Sequence, residues 1–206
     1  MKYLNKVAKK CVAVVLLALM IASVWMVEPV QAKVTMPAKS EKLVKNVSDF
    51  GTMLVVYEPQ KSWTKVTLNN DTCFRALVPI LYDCEGKYSF SSAKEINKAC
   101  YKYFGKNGYK DVTTGGYFYY FEDQIMSNAG DWGMSTPTCK ITKKKKVKSG
   151  VYDVYVTNSM KDGETGKVTK AGESVIRIKK NTKSAFGYVV TGIKYKTTNK
   201  SYLEIY

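Results

Sequence analysis

The first half of the chain repeats apolar residues at the spacing of an α-helix. A first stripe recurs every three or four residues from Ser40, which we interpret as the N-cap, to Pro59, which ends the helix. The residues of this stripe are Leu43, Val47, Phe50, Leu54 and Tyr57. Residues 33–39 show no such period, and we expect them to form an irregular lead-in.

A second helix is predicted from Asp71, with a kink at Pro79 and an end at Gly86. Proline disrupts a helix interior, and glycine favours the residue after the last turn. The apolar face of this helix consists of Phe74, Leu77, Val78 and Leu81.

A third helix has the clearest boundaries. Ser92 and Glu95 are spaced as a capping box, and Gly105 follows the last apolar residue. The apolar stripe consists of Ile96, Ala99, Cys100, Tyr103 and Phe104. The opposite face carries Lys94, Lys98, Lys102 and Lys106.

From Gly115 onward, β-branched and aromatic residues replace the helical stripes and predict an antiparallel sheet. We expect strands at about residues 117–126, 136–148, 151–157, 175–179 and 186–195, with a short edge strand at 202–206. Turns are expected at residues 130–133, 148–150 and 181–184, and residues 158–173 read as a long polar loop. The predicted fold class is α+β, with helices at about 40–105 packed on a curved antiparallel sheet of four to five strands at about 116–206.

The first 32 residues have the pattern of an export signal. Four lysines precede residues 11–27, which are apolar except for Ser23, and Val30-Gln31-Ala32 offers small residues for cleavage. We therefore predict a secreted or cell-surface protein, cleaved near Ala32, with a single domain from residue 33 to 206. An uncleaved signal segment is the alternative, and it would attach the chain to a membrane.

The chain has a formal net charge of +16 and contains no histidine. The lack of histidine excludes Ser-His and Cys-His nucleophile pairs, histidine metal ligands and an imidazole pH switch. The cysteines also lack the close paired spacing of structural zinc sites. We therefore expect no metal and no cofactor, and we assign no catalytic residue.

Several aromatic and acidic residues are candidates for lining a ligand pocket. They are Tyr117, Tyr119, Phe121, Glu122, Asp123, Trp132 and Tyr152. Because side chains alternate along a strand, Glu122 and Asp123 are expected on opposite faces, so at most one of them faces the pocket. A buried acid beside a tyrosine would suit proton transfer, whereas the alternative is an exposed or salt-bridged carboxylate.

Lysines concentrate on the strand predicted at 136–148 and on the neighbouring hairpin. The candidates for binding a polyanion are Lys140, Lys144, Lys146, Lys148, Lys179 and Lys180. The first four share parity and are expected on one face, opposite Lys143 and Lys145. The alternative is that they protect an edge strand from aggregation. The chain has two arginines, so we expect no specific nucleic-acid recognition.

Four cysteines follow the export signal, namely Cys73, Cys84, Cys100 and Cys139. An even number in an exported chain suggests two disulfides, for which three connectivities are open. If the second and third helices form an antiparallel hairpin, Cys73 and Cys100 lie at about the same height, so we favour Cys73–Cys100 with Cys84–Cys139. The alternative is a set of buried free thiols.

The order of elements, the third helix ending in Tyr103-Phe104-Gly105 and the glycine-flanked Asp131-Trp132 turn resemble secreted members of the nuclear transport factor 2-like superfamily. The resemblance implies a sheet that wraps a helix to form a cone, whose open end holds a small ligand in many members. Enzymes of this superfamily use an acid or a histidine with tyrosines inside the cone.

Three functions follow as hypotheses. The leading one is a secreted, non-catalytic domain that binds a small molecule or a polyanion through an aromatic-lined cleft or a basic sheet surface. The second is a small metal-free enzyme that uses a pocket carboxylate and a tyrosine. The third is purely electrostatic attachment to a cell-wall or glycan polyanion. The sequence suggests no oligomeric state.

Overall fold

The computed structural model of the protein describes residues 34–107, 109–128 and 135–204. The predicted export signal in residues 1–32 and the Asp131-Trp132 turn lie outside the described residues. From Thr35 onward the chain forms one compact unit. None of the described helices is both long enough and apolar enough to cross a bilayer.

The α+β class is confirmed. The helices are α1 (Ala38–Tyr57), α2 (Asn70–Pro79), α3 (Ala93–Phe104) and α4 (Lys200–Leu203), with a π-helical turn at Ile80–Cys84 and a 3₁₀ turn at Thr114–Gly116. The strands are β1 (Thr64–Val66), β2 (Ser89–Phe90), β3 (Phe118–Phe121), β4 (Gln124–Ser127), β5 (Ser135–Lys148), β6 (Val151–Asp162), β7 (Val168–Lys180) and β8 (Tyr188–Thr197).

The strands form two antiparallel sheets. The large, curved sheet has the order β1-β8-β7-β6-β5, and the small sheet has the order β2-β4-β3. The predicted count of four to five strands is correct for the large sheet. Its edge strand β1, however, was not anticipated, and the edge strand predicted at 202–206 is wrong because residues 200–203 form α4.

Helix α1 packs across the large sheet and defines its inner face. The predicted stripe is buried from Leu43 to Leu54, whereas Tyr57, in the last turn, is exposed. Opposite the helix, the sheet buries Val154, Val156, Ile176, Ile178 and Ile193. These side chains alternate with those of the outer face, because successive residues of a strand point to opposite sides.

The C-terminal end of α1 is anchored to β7 and β8. The Thr197 hydroxyl donates to the Val55 carbonyl at 2.9 Å, and the Tyr195 hydroxyl donates to the Glu58 carbonyl at 3.0 Å. A Cβ atom at Gly172 would lie 2.4 Å from the Lys196 carbonyl oxygen and 2.8 Å from Val55 Cγ1. Glycine at this position therefore allows the helix to approach the sheet closely.

The helix boundaries differ from the predictions at their starts. Helix α1 begins after Pro37 rather than at a Ser40 cap, and the Ser40 hydroxyl donates to the Pro37 carbonyl at 2.7 Å. Helix α2 is capped by Asn69, whose side chain accepts from the Thr72 amide at 2.8 Å. The kink predicted at Pro79 takes the form of the π-helical turn.

The third helix ends at Gly105 as predicted, but its capping box is not formed. The Ser92 side chain makes no capping hydrogen bond. The Glu95 carboxylate accepts from the Ser91 amide at 3.3 Å and from Lys87 Nζ at 3.2 Å. The acid therefore bonds the amide of Ser91, one residue before the expected Ser92, and also pairs with Lys87.

The strand predicted at 117–126 is wrong in its middle. Glu122, with φ +51°, and Asp123 form the two-residue turn between β3 and β4, where Phe121 pairs with Gln124. Both acids are exposed. Apolar residues lie on both sides of the turn, and the turn contains neither glycine nor proline, so the sequence pattern predicted the two strands as one.

The polar loop predicted at 158–173 is also wrong, because β6 and β7 extend through most of it. Asn158 and Ser174 are buried there, and the Ser174 hydroxyl donates to the Asn158 side-chain oxygen at 3.4 Å. The Asp162 carboxylate accepts from the Thr165 amide and hydroxyl at 2.7 Å each and closes the turn. The sequence of this segment predicts a loop because its residues are polar. In the fold, some of these polar residues are buried beneath α1 and bond to one another.

Candidate functional site

Two bulges in β5 redistribute the lysines of this strand. The pairing with β6 shifts register between Ile141 and Lys143 and again between Lys146 and Lys148. Residues directly opposite each other on paired strands share a face. The expectation of one face for the four lysines of equal parity is therefore wrong, because each bulge reverses the alternation.

The register assigns each lysine to a face. Lys144 and Lys146 pair with Val154 and Tyr152 and belong to the inner face. The outer face carries Lys140, Lys143, Lys145 and Lys148, which pair with Thr157, Tyr155, Asp153 and Val151. Lys144 forms an ion pair with Glu41 of α1, and this contact lowers the pKa of the Glu41 carboxyl. The charge of Lys144 is therefore neutralised by Glu41 within the fold.

A basic notch lies where the β5–β6 hairpin meets the end of β7 and the start of β8. The notch has a volume of about 420 Å³. It is lined by Lys146, Ser149, Gly150, Tyr152, Lys179, Lys180 and Tyr188. It brings together three of the predicted polyanion-binding lysines and one of the predicted pocket aromatics.

The backbone of the notch is fixed by the hairpin turn. Gly150 has φ +67°, a conformation that glycine adopts without strain, and its carbonyl accepts from the Lys180 amide at 2.7 Å. The Tyr152 and Tyr188 rings pack edge to face with centroids 6.0 Å apart. Burial and the neighbouring Tyr152 raise the pKa of Tyr188, which therefore keeps its phenolic proton as a hydrogen-bond donor.

The notch carries positive charge without a counterion from the fold. Its three lysines are exposed, its lining includes no carboxylate, and the described residues form no ion pair with any of the three. Lysines that line one site repel one another, and a bound anion would relieve this repulsion.

The outer face contains a second concavity, which we call the outer groove, with a volume of about 420 Å³. It is lined by Trp63, Lys65, Asp153, Tyr155, Val175, Arg177, Thr191, Gly192, Ile193 and Lys194. Except for Arg177, noted only as one of two arginines, the sequence did not single out these residues. Trp63 precedes a three-residue strand that has no alternation signal of its own.

Charge and aromatic rings meet in the outer groove. Arg177 Nε and Nη2 donate to the two Asp153 carboxylate oxygens at 2.7 and 2.8 Å, and this contact raises the pKa of Arg177. Lys196 Nζ lies 5.0 Å from the Trp63 ring centroid, and Lys143 Nζ lies 5.8 Å from that of Tyr155. Both distances suit cation–π contacts.

The predicted aromatic pocket is not assembled as one site. Tyr117, Tyr119, Phe121, Glu122 and Asp123 belong to the small sheet and the segment before it, whereas Tyr152 lies on the large sheet. Tyr119 and Phe121 are 45% and 58% exposed. Trp132 lies outside the described residues. Glu122 therefore does not face a tyrosine-lined interior.

Acid–tyrosine and acid–thiol pairs do occur, but between residues that the sequence did not suggest. The Tyr103 hydroxyl donates to Glu85 Oε1 at 2.5 Å and accepts from Asn46 Nδ2 at 2.8 Å. Burial and the Glu85 carboxylate raise the pKa of Tyr103. Tyr103 is fully buried, so the Glu85 contact joins α3 to the end of the π-helical turn, the Asn46 contact joins α3 to α1, and the hydroxyl is poorly placed for chemistry.

The thiol of Cys84 donates to Asp49 Oδ2 at 2.9 Å. Burial raises the pKa of Asp49 to about 6 and, together with the charge of Asp49, raises that of Cys84. A thiol whose pKa is raised is a poor nucleophile. Within the described ranges, no three His, Cys, Asp or Glu side chains are grouped so that they could hold a metal ion.

The favoured cysteine pair is brought into contact. Cys73 and Cys100 are both fully buried and hydrogen-bonded to each other, which lowers the pKa of Cys73 and raises that of Cys100. Cys84 contacts Asp49 of α1, and Cys139 contacts the neighbouring Ser48. All four thiols are unbonded in this structure, so the disulfides stay a prediction.

Comparisons of the chain with protein-family models, with curated proteins and with solved structures find no match. The geometry of the notch and of the outer groove therefore carries the functional argument.

Proposed function

We propose that this chain is an exported, non-catalytic binding domain whose basic notch holds the anionic groups of an extracellular polymer. The observation that supports this proposal is that Lys146, Lys179 and Lys180 all line one concave site whose lining includes no carboxylate. After cleavage near Ala32 the chain keeps 29 of its 33 basic and 16 of its 17 acidic residues, and this net charge of +13 would attract such a polymer from a distance.

Lysine suits this function better than arginine would. An ammonium group is a strongly hydrated point charge without a fixed fork, so it accommodates anions of varied geometry. The Tyr152 and Tyr188 rings flank the lysines and add apolar surface and hydroxyl donors. The site should therefore favour charge density over a particular sequence of groups.

Export is part of the same proposal. The basic head, apolar run and small residues before position 33 support delivery outside the membrane. N-terminal sequencing of the protein recovered from the culture medium should begin near Lys33. Recovery of the intact chain in the membrane fraction would instead support an uncleaved anchor.

The notch is tested by measuring the affinity for inorganic polyphosphate at a series of salt concentrations. The triple variant Lys146→Gln/Lys179→Gln/Lys180→Gln should bind more weakly, and its plot of log affinity against log salt should be shallower by about two to three. This change corresponds to roughly 0.7–0.9 for each lost lysine–phosphate contact.

The matched control is Lys39→Gln/Lys42→Gln/Lys94→Gln, which removes the same charge from exposed positions outside the notch. It should weaken binding only slightly, through net charge. Equal losses in both variants would show that the whole surface binds without a site. No binding at low salt by the unmodified protein would contradict the proposal itself.

A further inference from the structure

We propose that the outer groove is a carbohydrate site that takes an acidic oligosaccharide, with sugar rings stacked on Trp63 and Tyr155. The groove lies on the opposite face of the sheet from the Lys146 and Tyr152 side chains of the notch. The carbohydrate proposal therefore does not depend on polymer binding at the notch.

The first argument is the presence of two aromatic rings on a surface that the fold leaves open. Trp63 is 43% exposed, and Tyr155 is half-buried. Tyr155 pairs with Val175, Val175 with Lys194, and Lys194 with Lys65, so these residues form one row across β6, β7, β8 and β1. The two ends of the groove are therefore about three strand spacings, roughly 14 Å, apart. This separation suits an extended chain of rings better than a single small ring.

The floor of the groove offers hydrogen-bonding groups. Asp153 and Arg177 hold each other in a bidentate pair, and both still have donor or acceptor capacity for hydroxyl groups. Gly192 adds no side chain to the floor. A Cβ atom there would have only Arg177 Cβ, at 3.7 Å, within 4 Å, so the space above Gly192 is open. The groove thus combines flat apolar rings with polar groups that point toward the ligand.

The rim indicates that the ligand is acidic. Lys65 and Lys194 lie directly opposite each other on β1 and β8, and no described carboxylate forms an ion pair with either. Like charges in this arrangement destabilise a strand pair. A ligand carboxylate between the two ammonium groups would offset that repulsion.

A sugar chain fits the groove better than a single-stranded nucleic acid. Aromatic stacking is common to both ligands. However, the phosphate groups of a nucleic acid only accept hydrogen bonds, and the Asp153 carboxylate on the floor offers them no donor. Hydroxyl groups, in contrast, donate to a carboxylate.

The test uses a hexamer of galacturonic acid as the probe and the emission of Trp63 as the signal. A Trp132→Phe background leaves Trp63 as the one tryptophan after residue 32. Addition of the hexamer should change the Trp63 emission in a saturable way. By calorimetry, Trp63→Ala and Tyr155→Ala should each weaken binding by roughly fivefold to a hundredfold, the range that stacked rings contribute.

Three further measurements make the outcome decisive. Trp63→Phe, which keeps a ring, should restore part of the affinity, and Gly192→Leu should block the groove. Tyr120→Ala, at an exposed ring of the small sheet, should leave the affinity unchanged. Unchanged affinity in both Trp63→Ala and Tyr155→Ala would overturn the proposal.

The two sites are separated by their variants. The triple lysine variant of the notch should retain the Trp63 response, while Trp63→Ala should retain polyphosphate binding. A single-stranded oligonucleotide of equal charge should produce a weaker Trp63 response than the hexamer. A response that is equal or stronger would identify a nucleic-acid groove and overturn the carbohydrate assignment.

Discussion

The two faces of the large sheet alternate along the same strands but meet different surroundings. Val154 and Ile176 point inward and are fully buried beneath α1, whereas the neighbouring Tyr155 and Arg177 point outward and remain partly or fully exposed. Close packing in the core restricts the inner positions to apolar residues of suitable size. The outer residues are free of this constraint, so their aromatic and charged character calls for an explanation in terms of recognition.

The largest difference between the faces is expected for the removal of an aromatic ring. Phe50→Ala, at a fully buried position of α1, should lower the unfolding free energy by about 3–5 kcal/mol, because it removes buried apolar surface and leaves a cavity in the core. Tyr155→Ala on the outer face should cost about 1 kcal/mol or less. Urea unfolding of both variants measures the contrast, and equal costs would show that the outer face is also part of the core.

The helical layer above the inner face should be held by a disulfide between Cys73 and Cys100. Oxidation is expected to add about 2–4 kcal/mol of stability. Peptide mapping without reductant identifies the pair, and unfolding with and without reductant gives its contribution. The effect should persist in Cys84→Ala/Cys139→Ala, and its loss there would assign the bond to the other pair.

A smaller effect concerns the acid buried beneath α1. The pKa of Asp49 is about 6 in the fold and 3.8 ordinarily, so the folded state holds this proton more tightly than the unfolded state does. Stability from this group is therefore fully present below pH 4 and is lost as the pH rises through 6, by at most about 3 kcal/mol.

The pH dependence is checked by unfolding at pH 4 to 7 in the protein and in Asp49→Asn. The unfolding free energy of Asp49→Asn should not decline between pH 4 and 6. Because the Cys84 thiol hydrogen bond lowers the pKa of Asp49, Cys84→Ala should move the decline to higher pH. An unchanged profile in both variants would exclude Asp49 as its origin.

The smallest effect is expected for the ion pair of the outer face. Arg177→Gln should lower the unfolding free energy by about 1 kcal/mol, because the Arg177 side chain is 48% exposed, although that of Asp153 is only 15% exposed. The same variant should weaken binding of the galacturonic acid hexamer measurably. A large loss of stability, with binding intact, would show that the pair serves the fold and not the groove.

Local patterns predicted the helices well and the sheet less well. The end of the third helix at Gly105 and the turn at Gly150 follow from positive φ angles that glycine adopts readily. The Glu122-Asp123 turn carries no glycine or proline, so nothing in the sequence interrupted the strand there. Membership of the nuclear transport factor 2-like superfamily stays a prediction.

The notch was predicted in part, and the outer groove was not predicted. The lysines and Tyr152 were chosen for charge and ring type, but the bulges at Ile141 and Lys146 decided which of them meet. Trp63 reaches the groove only because β1 pairs with β8, a contact between segments distant along the chain.

The sequence by itself determined the α+β class, the α1 stripe, the positive charge and the absence of histidine chemistry, because these depend on composition and on spacing within one element. The tertiary structure decided the faces of the lysines and the position of Trp63. These depend on strand register and on pairing between distant segments, which local periodicity does not encode.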